Sequence, residues 1–168
     1  ALSEHLGVRR LGMAELYRAH VLDRLGSFSC AVRERAVLRL LRELGAFSRE
    51  DPELPSLVRD MECVPTAAGS LLAPSRLYDP RVPELFDLVD RERCFPVSPF
   101  DAEDVLPALQ GLGMRSVVTK SVLLDIATMV EGRQSDDEEG AVARGRSLLR
   151  YLELHCGKFI ESGISAGV

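Results

Sequence analysis

The chain has 168 residues, enough to bury a substantial core, so one folded unit is expected, with two small subdomains also within reach. Hydrophobic residues make up 46%, charged residues 28% and aromatic residues only 5%, which excludes extended disorder and favours a Leu-rich, helix-leaning domain. The net charge is −5 and the Arg residues are scattered among acids, so nothing supports a surface that tracks phosphates, and nucleic acid is not an expected partner. No run of 18 apolar residues exists and the first residues lack a basic-then-apolar leader, so a cytosolic or nuclear chain with no membrane partner is expected. It also begins without Met, which fits a piece of a longer protein.

Helix signals open the chain. Met13 to Leu25 carries Leu16, Tyr17, His20, Val21 and Leu25 at spacings of three and four, an apolar stripe ended by Gly26. His20, on that stripe, reads as a core or boundary histidine. Ser29 can cap a second helix over about 30 to 44, with Val32, Ala36, Leu40, Leu41 and Leu44 facing inward and Gly45 placed to close it in the left-handed conformation. The short connection predicts that these two helices pack antiparallel.

A short Pro-bounded helix is predicted over about 53 to 60. Glu62 to Val64 and Leu71 to Ala73 are β-prone runs on either side of Ala67-Ala68-Gly69-Ser70, where Gly69 can supply the positive φ of a tight turn. Each run meets a proline, Pro65 or Pro74, which limits the pair to a small hairpin spanning about 62 to 73. Helices follow near 83 to 89, from Asp101 to Gln110 with Asp101 as its cap, and from Thr119 to about Glu131 with Val122, Leu123, Ile126, Ala127 and Val130 as its stripe. Ser135 with Glu138 matches a capping box for a last helix ending near Cys156, with a frayed or truncated tail beyond. The fold class expected is mostly α, an irregular helical module with one small β-hairpin.

Leu6-Gly7-Val8-Arg9 returns as Leu112-Gly113-Met114-Arg115, each where a helix is expected to end on Gly and a short extended run to lead into the next helix. The expected organisation is one repeating module over 1–134, with 135–168 as a C-terminal helix and tail that either packs on this unit or begins the next.

Cys30, Cys63, Cys94 and Cys156 show neither zinc-ligand spacing nor a disulfide pattern and read as small buried hydrophobes. His155 and Cys156 are adjacent, but neighbours on a helix point about 100° apart and cannot form a catalytic pair with each other. No phosphate-binding loop surrounds Gly157-Lys158, and the acids of "QSDDEEG" lack the spacing of a calcium loop. No cofactor or metal is therefore expected, and no catalytic constellation stands out. The stretch from Cys63 to Phe100, rich in Pro, Tyr, Phe and Asp-Pro turns, can serve as a partner surface or as the packing of an irregular connector.

Within that stretch, "VPTAAGSLLAPSRLYDP" followed by "ELFDLVDRERCFPVSPF" resembles the repeat region of the sacsin family, very large cytosolic co-chaperone-like proteins. The matching positions are Val64, Pro65, Thr66, Gly69, Leu72, Pro74, Leu77, Tyr78, Asp79, Pro80, Leu85, Phe86, Phe95 and Pro96. Upstream, "LGVRRLGMAELYRAHVLDRL" is similar to the family's Leu-Gly hinge into a helix, so the likeness spans nearly the whole chain. The resemblance implies a non-catalytic structural or client-binding module from the segment that follows an Hsp90-like domain. It implies a cytoplasmic role in protein folding and intermediate-filament organisation, with intermediate filaments or clients as protein partners and links to the Hsp70 system through domains this sequence does not contain. ATPase activity does not carry over, because the nucleotide-binding domain is absent from the sequence. The rival expectation is an enzyme or regulatory domain with a Cys-based site, Cys63 or Cys94 near a His, assembled from distant residues.

Overall fold

A computed structural model describes residues 12–132 and 138–164. The first predicted helix changes its own pitch as it runs: Met13–Leu16 (α1) is α-helical, Tyr17–Val21 is a π turn and Leu22–Ser27 a 3-10 turn. The Leu22 N–H donates to the Tyr17 carbonyl, five residues back. Ala14, Tyr17, Leu22 and Leu25 are therefore the buried set, at spacings that follow the changing pitch. A uniform period of 3.6 predicts Leu16 and His20 inward; the wide turn rotates both to solvent.

Ser29 has the extended backbone of an N-cap before Cys30–Arg42 (α2), although its side chain makes no capping bond. Val37, Leu38, Leu40 and Leu41 form the buried face, whereas Val32 is exposed and Ala36 and Leu44 are half-buried. Gly45 does not close this helix. The chain bends at Glu43 (φ −100°, ψ 10°) and resumes as Leu44–Glu50 (α3), with Gly45 inside its first turn. Phe47 drives that continuation: it is buried, and its ring centroid lies 4.8 Å from that of Tyr17. The helix that α1 packs on is thus α3, where the predicted partner was α2, and the Ala14 N–H, one of the unpaired donors of a helix start, donates to Glu50 Oε2 at 3.0 Å.

Leu54–Arg59 (α4) carries Pro55 in its first turn. The hairpin forms as expected: Val64–Pro65 (β1) pairs antiparallel with Leu71–Leu72 (β2), Val64 opposite Leu72, and Gly69 takes φ +78° in the turn. Pro65 has no N–H to give, but its carbonyl accepts from the Val97 N–H at 3.2 Å, and Thr66 bridges to Pro96, so a third segment lies along β1.

Pro83–Leu88 (α5) is followed by Arg91–Cys94 (α6), a short helix the sequence reading missed, capped by Asp90 accepting from the Arg93 N–H. The helix predicted from Asp101 spans only Leu106–Gly111 (α7). Pro107 explains the difference: in a helix begun at Asp101 it would fall in the interior and clash one turn back, whereas beside Leu106 it occupies the first turn. Asp101 is therefore no cap, and Asp104 instead pairs with Arg42 at 2.7 Å. At the other end, Gly113 (φ +100°) closes α7. The Met114 N–H reaches the Leu109 carbonyl and the Gly113 N–H that of Gln110, with Leu109 and Met114 both buried. The second copy of the repeated phrase is thus a glycine cap with its hydrophobic contact; the first, at Leu6 to Arg9, lies outside the described residues.

Thr119 caps Lys120–Gly132 (α8), its hydroxyl accepting from the Val122 N–H at 3.3 Å, and Val122, Leu123 and Ile126 are buried as predicted. The last helix, Glu138–Ile164 (α9), runs beyond Cys156, and the expected cap at Ser135 lies outside the described residues. It packs on α8 and α5. No helix among the described residues is long and apolar enough to cross a membrane.

The architecture is mostly α with one two-stranded hairpin, and it encloses two hydrophobic clusters. The first is formed by side chains between Ala14 and Met114, centred on Phe47, Phe100 and buried leucines of α2, α4 and α7. The second joins Tyr78, Leu85, Leu88 and Phe95 to α8 and to Leu148 of α9.

Candidate functional site

Leu77 to Asp79, the middle of the signature segment, runs extended between the two clusters. The Tyr78 N–H donates to the Cys94 carbonyl at 3.0 Å, the Asp79 N–H to the Arg115 carbonyl at 3.0 Å, and the Arg115 N–H to the Leu77 carbonyl at 2.9 Å. Successive side chains of an extended chain point to opposite sides. Leu77 accordingly enters the first cluster and Tyr78 the second, both essentially inaccessible to solvent.

Asp79 then terminates the strap with a carboxylate that is almost fully buried. Arg81 grips it with two parallel bonds, Nε to Oδ1 at 3.0 Å and Nη2 to Oδ2 at 2.8 Å, while the Arg81 backbone N–H donates to Oδ1 at 2.9 Å. Gln110 Nε2, from α7, donates to Oδ2 at 2.7 Å. These bonds, those from the Arg81 side chain first, hold the Asp79 carboxyl below its ordinary pKa of 3.8 against the opposing effect of burial. Next to it, Arg115 donates from Nη1 to the Tyr78 hydroxyl at 2.6 Å and pairs through Nη2 with Asp125 Oδ2 of α8 at 2.8 Å. Burial, opposed by the Arg115 charge, moves the Tyr78 hydroxyl above its ordinary pKa. Among the described residues, no buried side-chain polar atom lacks a partner.

The remaining signature residues surround this knot. Nine of the fourteen are buried: Val64, Thr66, Pro74, Leu77, Tyr78, Asp79, Leu85, Phe95 and Pro96. Pro65, Leu72, Pro80 and Phe86 are half-buried, and Gly69 alone is exposed. Thr66 Oγ1 bonds within the hairpin, to the Ser70 carbonyl and hydroxyl. Phe86 packs 5.2 Å from Phe95, with the Arg91 guanidinium 4.9 Å from its ring centroid. Of the two roles open to this stretch, its side chains take that of internal packing.

An open groove of about 420 Å³ lies between α5 and α9, walled by Glu84 and Asp87 on one side and by Ser147, Arg150 and Tyr151 on the other. Burial, with the nearby charge of Glu84, raises the Tyr151 hydroxyl pKa, and the Tyr151 ring sits 4.4 Å from that of His155.

The cysteines divide. Cys63 and Cys94 are buried, as expected of small hydrophobes, but Cys30, the first residue of α2, is exposed. Burial pushes the Cys63 thiol up to about 12, the direction opposite to an activated nucleophile. His20 stands on the outer side of its helix, and His5 and the Cys156 side chain lie outside the described residues. No group of three or more His, Cys, Asp or Glu side chains that could hold a metal occurs among the described residues.

Sequence reasoning missed the residues that lock the strap. Arg81 was within reach, since an Asp and an Arg two positions apart across a proline can close a local turn. Gln110 and Arg115 come from 31 and 37 residues away, and no local pattern marks them. The groove was equally silent, because it exists only once α9 folds back on α5. Compared with protein-family models, with curated proteins and with solved structures, the chain matches none of them.

Proposed function

We propose that this chain is a non-catalytic helical scaffold module of the sacsin-repeat kind, working in the cytoplasm by offering helical surface to protein partners or clients such as intermediate-filament protein. The observation that carries this reading is the strap. Its residues are the ones on which the resemblance rests, and their side chains bind two clusters together. A carboxylate held by four hydrogen bonds with a lowered pKa is suited to fixing chain geometry, not to moving protons. The buried, unactivated Cys63 thiol supports the same side, and no observation favours a Cys-based site.

With the aromatic side chains of the signature turned inward, the partner surface falls to the helices that flank it, and the groove between α5 and α9 is the concave part of that surface. Hydrogen exchange on the chain, with and without purified intermediate-filament protein and an unfolded model client, tests the proposal. Protection gained over 83–88 and 138–155 is the expected result. No change anywhere would reduce the module to a spacer. Native-state labelling of Cys63 faster than that of an unfolded-chain thiol would overturn the non-catalytic reading.

A further inference from the structure

The last helix carries more apolar surface than its own chain covers. Its inner face is Ala141 and Leu148, continued by the half-buried Tyr151 and His155, spaced by three, four and seven as one stripe. A second stripe lies about a quarter of a turn away: Val142 is 44% exposed, Leu149 64% and Leu152 36%. Val142 and Leu149 are seven residues apart and Leu152 three further on, the a and d spacing of a helix that seats another helix. Arg146 and Glu153, also seven apart, border this stripe on its outer side; both are exposed, and neither has an ion-pair partner among the described residues.

We infer that this stripe is a self-association surface that takes the same stripe of a second copy of this chain, the two helices antiparallel about a two-fold axis. A two-fold contact must be self-complementary, and the pattern is. When Leu149 of each copy packs on Leu152 of the other, Arg146 of each comes opposite Glu153 of the other, so two ion pairs flank an apolar centre. The alternative pairing, Glu139 with Arg146, would centre the contact on Val142 and Gly145 and leave Leu149 and Leu152 in water. Apolar content therefore selects the first register. A single helix pair buries less than the roughly 1,200 Å² of a standard interface, so the dimer is weak. The inference rests on no part of the partner-binding proposal.

Sedimentation of the 168-residue chain between ~5 μM and ~1 mM tests it. The mass is expected to rise from monomer to dimer and to stop there. Leu149→Asp, at an exposed position that leaves the thermal unfolding midpoint in place, should shift half-association at least tenfold higher. Arg146→Glu and Glu153→Arg should each weaken the dimer several-fold, the R146E/E153R double variant should restore it, and Glu139→Arg should change nothing. A monomer at every concentration, a dimer indifferent to Leu149→Asp, or a double variant as weak as either single one would overturn the inference.

Discussion

The two hydrophobic clusters share one strap and differ in how fully their side chains leave water. In the first, α2, α3, α4 and α7 converge from several directions, and Leu40, Leu54, Leu77, Phe100, Val105 and Leu109 reach 0% exposure. In the second, where α5, α6, α8 and Leu148 of α9 meet around Tyr78, Leu85 alone reaches 0%, and Phe95, Leu123 and Leu148 keep 7, 6 and 8% exposure. Truncation should read this difference directly, because a cavity costs most where neighbours cannot relax into it. Leu109→Ala is expected to cost about 4 kcal/mol in urea unfolding and Leu148→Ala about 2 kcal/mol. Equal losses would break the contrast.

The Asp79 knot belongs to both clusters. Asp79→Asn keeps the shape but loses the charge that Arg81 grips, and should cost about 2 to 3 kcal/mol near neutral pH. The sign of its pH dependence is fixed. With its folded pKa below the ordinary 3.8, the unfolded chain takes up the proton first as pH falls. Asp79's contribution is therefore complete above the ordinary value and is lost as pH drops through the lowered one. The gap between wild type and Asp79→Asn should narrow with acidification below pH ~4. A gap that stayed constant would mean the charge is not what the knot uses. The substitution should also sharpen the comparison: if the strap couples the clusters, Asp79→Asn combined with Leu148→Ala will not be additive, whereas Leu109→Ala and Leu148→Ala will add.

The two glycines at positive φ give a third, smaller test. Gly113 (φ +100°) meets Arg59 Nε at 3.4 Å and Ser75 at 3.7 Å when a Cβ is placed on it, while Gly69 (φ +78°) meets nothing. Gly113→Ala combines backbone strain with crowding against Arg59 and Ser75 and should cost about 2 kcal/mol, against about 1 kcal/mol for Gly69→Ala in the open hairpin turn. Thermal unfolding of the two variants orders them.

What the sequence made legible follows the range of each interaction. The hairpin, the Gly69 turn, the Gly113 cap and the Thr119 start are set by residues within a few positions and could be read directly. The burial of His20, the stop at Gly45 and the start at Asp101 went astray for three separate reasons. A π turn resets a helical phase that a fixed period cannot follow. Phe47, once buried against Tyr17, carries the helix past a glycine free to end it. Pro107 vetoes the earlier start. The strap shows the same divide within the candidate site: its Leu-Tyr-Asp-Pro pattern stands out in the sequence, yet that it is internal depends on Gln110 and Arg115, which topology alone brings near.

The smallest expected effect tests how far geometry can stand in for energy. Arg42–Asp104 and Arg81–Asp79 are ion pairs of nearly equal length, 2.7 and 2.8 Å. In the first, both side chains keep about half their exposure, 48 and 57%; in the second, the carboxylate keeps 2%. Water screens the first pair and leaves it fixing two long side chains for little return, so Arg42→Ala should cost no more than about 0.5 kcal/mol. That small cost should disappear in 1 M salt, where the screening length falls to about 3 Å. Arg81→Ala strands a buried carboxylate whose remaining donors cannot replace a guanidinium, and its cost should be several times larger and persist in salt. Urea unfolding of both variants at low and high ionic strength decides the point. If Arg42→Ala matched Arg81→Ala, the strap would hold no privileged place, and the two clusters would be joined by their surface as much as by the chain between them.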